Sequence, residues 1–188
     1  MKNTIIHTLL FLLFASASAN SQSVEPSIEI IRENYVEIRN KMNTIKKKTI
    51  NASGEDSNDP QSGHRNEFVL YIQDSDTLLI QEFNINDEGG PYSLSVTEVY
   101  YKDSQPFFYF NKYYASWESS MTETRLYIKN DTVIKKLKKK YQLHWKKIPN
   151  YDLLQVKSDT IPNKEVDISK YEIGGVHYVK NSLNRLTK

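Results

Sequence analysis

The sequence predicts an α+β fold: an N-terminal amphipathic helix packed on one face of an antiparallel β-meander made of repeated hairpins. Three observations predict it. Apolar residues recur at helical spacing over about 25–47, short strand-like runs follow from about 67 onward, and those runs return at a near-constant interval.

The first 19 residues read as a signal peptide. Lys2 supplies the positive start, Ile5, Ile6 and Leu9–Phe14 the apolar stretch, and Ala15–Ala19 a small-residue cleavage site. The apolar run falls short of the roughly 20 residues that span a bilayer. It therefore predicts export to the periplasm or medium, with no integral membrane segment after cleavage. Residues 20–188 are long enough for one domain with its own core. The chain has no cysteine, so neither disulfides nor a lipid-modified cysteine is expected.

In the helix, Ile28, Ile31, Tyr35, Ile38, Met42 and Ile45 alternate at steps of three and four, which makes one apolar stripe. Pro26 suits a first turn, Glu25 and Glu29 the positive end of the helix dipole, and Lys46, Lys47 and Lys48 its negative end. The stripe serves either the chain's own sheet or a coiled-coil partner. Residues 51–66 are polar, with Gly54, Pro60 and Gly63, and read as a linker or long loop.

The hairpin repeats occupy about 67–188. Leu70–Asp74 is echoed by Val99–Asp103, Leu126–Asn130, Leu154–Ser158 and, more faintly, His177–Asn181. The second positions fall 29, 27, 28 and 23 residues apart. A strand, a tight Asp/Asn/Ser turn and a returning strand make a hairpin; Asn163–Tyr171 is open to a short helix instead. Period-two alternation then assigns faces. Leu70/Ile72, Val99/Tyr101, Leu126/Ile128 and Leu154/Val156 form an aliphatic face, expected beneath the helix. Tyr71, Tyr100 and Tyr127, with Lys129 among the following lysines, form the other, expected to be open. Phe107–Phe110 breaks the rule by being aromatic on both sides.

These residues, from "IRENYVEI" through "LYIKNDTVIKKLKK", resemble a group of exported Bacteroidota proteins with an N-terminal helix and β-hairpin repeats, distantly MORN-like, over roughly 28–140. The regular glycines of MORN repeats are missing, since the chain has six Gly in all. The resemblance implies a location and a fold rather than an activity. It also implies O-glycosylation at Asp-Thr-aliphatic tripeptides, which places candidate sites at Thr77, Thr132 and Thr160, all at expected hairpin turns.

The net charge of +2 is unevenly spread. Residues 50–100 hold ten acids and one base, whereas 101–188 hold 17 bases and nine acids, so the two parts are expected to attract one another. The run Lys135–Lys140, continued by Tyr141, His144, Trp145, Lys146 and Lys147, is either a site for a polyanion or partner, or an edge strand that lysine guards against aggregation. Candidate binding residues are therefore Tyr71, Tyr100, Tyr127, Lys129, Lys136, Lys138 and Trp145. In an exported chain the expected ligand is an envelope protein or glycan, not nucleic acid. His144 lacks a nucleophile beside it, and the acidic clusters Asp74–Asp76 and Asn86–Gly90 lack the alternating ligands of a calcium loop. No catalytic residue, metal site or cofactor is predicted. The expectation is a monomeric, non-enzymatic binding module; a hydrolase with a pocket sequence does not reveal, or an inhibitor or immunity-type protein, stays open.

Overall fold

A computed structural model describes residues 24–51, 63–87, 91–169 and 172–186. The signal-like segment and most of the polar linker lie outside the described residues. Helix α1 spans 24–41 and helix α2 Glu172–Leu186. Between them run β1 (Lys46–Asn51), β2 (Gly63–Gln73), β3 (Asp76–Asp87), β4 (Ser93–Lys102), β5 (Gln105–Ala115), β6 (Ser120–Lys129), β7 (Thr132–Gln142) and β8 (Lys164–Glu165). They form one antiparallel sheet in sequence order, so the fold is α+β and dominated by a meander.

The hairpins β2–β3, β4–β5 and β6–β7 share one local construction. Their turn residues Asp74-Ser75, Asp103-Ser104 and Asn130-Asp131 all have positive φ. Two consecutive residues of that kind make the turn whose twist matches the flanking strands, and Asp and Asn tolerate it best among non-glycine residues. Each ladder then slips by one residue, at Tyr71/Ile72, Tyr100/Tyr101 and Tyr127/Ile128. The unpaired residues on the returning strands are Leu78, Phe107 and Ile134. A bulge of this kind turns two neighbours toward one side. Leu78 and Leu79, like Phe107 and Phe108, accordingly join the same apolar cluster. That accounts for the aromatic run that period-two reading found on both faces.

Three expectations are corrected. First, α1 stops at 41 rather than 47, and Lys46–Lys48 belong to the exposed edge strand β1. The Thr44 hydroxyl and the amides of Thr44 and Ile45 all bond to the Lys41 carbonyl and end the helix. Second, the fourth and fifth repeat units are not hairpins. Leu153–Gln155 is a 3-10 turn, capped by Asp152, whose carboxylate accepts from the Leu154 amide at 2.8 Å; His177–Asn181 lies inside α2. Residues 163–169 contain β8 rather than a helix.

Third, the two faces of the sheet are reversed relative to expectation. The aliphatic set Phe68, Leu70, Ile80, Val99, Leu126 and Ile128 clusters with Val176 and Val179 of α2. Tyr71, Tyr100 and Tyr127 cluster with Ile28, Ile31 and Ile38 of α1. Tyr100 is 0% exposed, and Tyr71 and Tyr127 are 6% exposed. Alternation separates two faces without saying which is covered, and here each has its own helix. Tyr71 and Tyr100 tolerate burial because their polar ends are used. Tyr71 Oη donates to Gln81 Oε1 at 2.9 Å and Tyr100 Oη to Glu98 Oε2 at 2.8 Å. The Tyr35 ring meets Tyr100 and Phe108 edge-on at 5.0 and 5.1 Å.

A third cluster closes the far end of the α1 face. There Leu94, Val96, Tyr114, Met121 and Tyr141 pack beneath Leu143, Ile148, Leu153 and Val156 of the 3-10 turns that follow β7. Lys112 fastens this segment, since its buried Nζ donates to the carbonyls of Val156 at 2.7 Å and Leu153 at 3.2 Å. Burial pulls its pKa below the usual lysine value.

Candidate functional site

Between the two apolar clusters of the α1 face runs a charged belt, one strand after another. The register aligns Gln81 with Glu98, Glu98 with Phe110 and Phe110 with Arg125; one step along, Lys112 faces Glu123 and Glu123 faces Lys139. Glu98 accepts from Gln81 at 2.7 Å, Tyr100 at 2.8 Å and Arg39 of α1 at 3.2 Å. Glu123 accepts from Ser158 at 2.6 Å, Tyr141 at 3.0 Å and Arg125 at 3.0 Å, with Lys139 at 3.7 Å. Burial alone would raise the Glu123 pKa, but the bonds from Ser158 and Tyr141, with Lys139 and Arg125 nearby, hold it below the usual carboxylate range. Burial pushes the Tyr100 and Tyr71 phenols up, and Glu98 adds to both.

The α2 face divides in two. α2 covers the end nearest the tight turns; beyond it the alternate residues are polar and half-exposed. On β5 these are Asn111 and Tyr113, with Tyr109 at the boundary where it packs against the α2 cluster, on β4 Ser95, and on β6 Thr124 and Thr122, which face Lys138 and Lys140 of β7. A pocket of about 320 Å³ at the α2 boundary is lined by Tyr109, Asn111, Thr124, Lys136, Lys138 and Glu172 among others. Lys136 pairs with Glu172 and Lys140 with Glu118, whereas Lys138 is exposed and has no partner among the described residues. The Asn111 amide donates to Thr97 Oγ1 at 3.0 Å and to the Val96 carbonyl at 3.4 Å.

Glu82 lies on this same face, buried at 7% exposure, with the Asn66 amide 3.4 Å away. Burial raises its pKa, and Asn66 opposes that in part. A carboxyl whose folded pKa exceeds its unfolded one adds stability at acid pH, and that contribution disappears as pH rises through the folded value. Glu82→Gln is therefore expected to raise the urea midpoint at pH 7. Parent and variant should converge below about pH 4, and equilibrium unfolding across that range measures the difference.

The sequence-predicted binding residues are scattered by the fold. Tyr71, Tyr100 and Tyr127 are under α1, so the open tyrosine face they were expected to form does not exist. Lys129 donates to Ser27 of α1 at 2.9 Å. Lys136 and Lys138 come together beside the α2 pocket. Trp145 is exposed and stacks on His144, whose Nδ1 accepts from the Lys146 amide at 3.2 Å. Thr77 is the second residue of β3 and Thr132 the first of β7, whereas Thr160 sits in irregular chain rather than at a hairpin turn. The expected attraction between acidic and basic parts leaves no ion pair between 50–100 and 101–188 among the described residues. The β7 lysines instead engage Glu25, Glu118, Glu123, Glu165 and Glu172.

What sequence reasoning missed is Arg32, Glu98, Glu123 and Arg125 on one face and Tyr109, Asn111 and Tyr113 on the other. For Glu98, Asn111, Glu123 and Arg125 the one signal was a charged or amide residue in the middle of a largely apolar strand; Arg32, Tyr109 and Tyr113 carried none. Among the described residues no three His, Cys, Asp or Glu converge as metal ligands would, and no helix is long and apolar enough to cross a membrane. No family model matches the chain, and no similar curated protein or solved structure is found.

Proposed function

We propose that the protein is an exported, non-enzymatic binding module that holds an envelope glycan on the uncovered half of the α2 face. The observation that carries this reading is the row Tyr109, Asn111 and Tyr113, flanked by Thr122, Thr124 and unpaired Lys138. Its two rings stand about 13 Å apart along the strand. Rings, an amide, hydroxyls and a free ammonium on one surface offer a sugar both stacking and hydrogen bonds. Saturation of Glu98 and Glu123 by internal donors supports binding over acid–base chemistry, which needs a carboxylate free to exchange a proton with substrate. Export rests on the N-terminal sequence and on the resemblance to exported Bacteroidota proteins.

The test is binding of the purified mature chain to immobilised envelope polysaccharide. A Tyr113→Ala, Lys138→Glu double variant with unchanged circular dichroism is expected to lose about tenfold or more in affinity. Parent-like binding by that variant, or absence of glycan binding by the parent, overturns the reading.

A further inference from the structure

On the opposite face, a groove of about 410 Å³ opens between α1 and the sheet. Its floor is aromatic, made by Tyr35, Phe108, Phe110 and Tyr127, and guanidinium groups from Arg32 and Arg125 border it. That volume lies within the range of small-molecule sites, about 300–1,000 Å³.

The charged residues that line the groove are both cations, Arg32 and Arg125. Arg39 and Arg125 each meet a buried carboxylate, at 3.2 and 3.0 Å, and Lys139 stands 3.7 Å from one of the same two. Arg32 has no ion-pair or hydrogen-bond partner among the described residues. Arg125 uses one nitrogen on Glu123 and another on Asn163 while its guanidinium lies 4.9 Å from the Phe110 ring centre. It retains further donors, since a guanidinium carries five. Beside these cations Val36 of α1 lines the groove and is 51% exposed, an apolar side chain that folding leaves uncovered.

We propose that this groove binds a small amphipathic carboxylate, its apolar body on the aromatic floor and its carboxylate on Arg32. Charge complementarity selects the head group: a guanidinium pairs with a carboxylate through two parallel hydrogen bonds. The rings select the body, because they bury large apolar area without demanding a polar partner. The site lies on the face away from the polar strip and stands without it.

Isothermal titration of the full mature chain with decanoate, and separately with 1-decanol, tests the assignment. Decanoate is expected to bind one-to-one and at least about tenfold more tightly than decanol, with Arg32→Gln abolishing that preference at unchanged circular dichroism. Arg32→Lys, which keeps the charge and loses the fork, is expected to fall between them. Equal affinity for acid and alcohol, a parent-like Arg32→Gln variant, or no decanoate binding at about 1 mM overturns the proposal.

Discussion

Replacing Tyr100 by alanine is expected to destabilise the protein by about 3–5 kcal/mol, the range for removing a large aromatic from a packed core. The side chain is fully buried, touches the rings of Tyr35 and Phe108 from α1 and β5, and bonds to Glu98 at 2.8 Å. Tyr100→Phe keeps the rings in place and forfeits the bond to a charged acceptor, which is expected to cost about 1.5–3 kcal/mol. Tyr113→Ala, on the half-exposed polar strip, is the control, with a change of about 1 kcal/mol or less. Urea unfolding at one pH ranks all three. A Tyr100→Ala loss no larger than that of Tyr113→Ala would return the tyrosine face to solvent and remove α1 from it.

Glu123→Ala is expected to have an effect of similar size, about 3–5 kcal/mol, because it strands the buried Lys139 and takes a partner from part-buried Arg125. Arg125 and Lys139 both lie within 4 Å of this carboxylate, at 3.0 and 3.7 Å. Tyr141 and Ser158 would lose their acceptor as well. The pH dependence has the opposite sign to that of Glu82. A carboxyl held below its ordinary pKa by the fold contributes stability that is complete above the unfolded value, about 4.3, and lost as pH falls through the folded value. Glu123→Gln should flatten this acid limb while keeping the shape of the side chain. Unfolding midpoints between about pH 2 and pH 5 read it directly, and an unchanged acid limb in the Gln variant would refute the role assigned to Glu123.

The sequence announced the meander because hairpin chemistry is local. Asp74-Ser75, Asp103-Ser104 and Asn130-Asp131 dictate tight turns wherever they occur between alternating strands. What covers each face was not legible, because a helix chooses its partner by total apolar area, which no single strand displays. The C-terminal helix escaped notice for a related reason. Gly174 and Gly175 are poor helix formers, and Val176 and Val179 favour strands, so local preference opposed the outcome. Its spacing of Ile173, Val176 and Val179 was the available clue, and these residues pack on the aliphatic face. The groove was hidden more deeply. Arg32 and Arg125 meet only through the docking of α1 on the register of β5 and β6, which composition does not encode.

The aligned bulges at Leu78, Phe107 and Ile134 constrain how such a chain tolerates changes in length. Each sets the parity of its returning strand after a two-residue turn, so a deletion beside it exchanges the α1 and α2 sides of everything up to the next connection. Insertions are harmless only where the ladder has already ended, at the connections remote from the tight turns. Relatives of this fold should therefore differ in size at that end alone, with the turn-proximal rim fixed in length from one hairpin to the next.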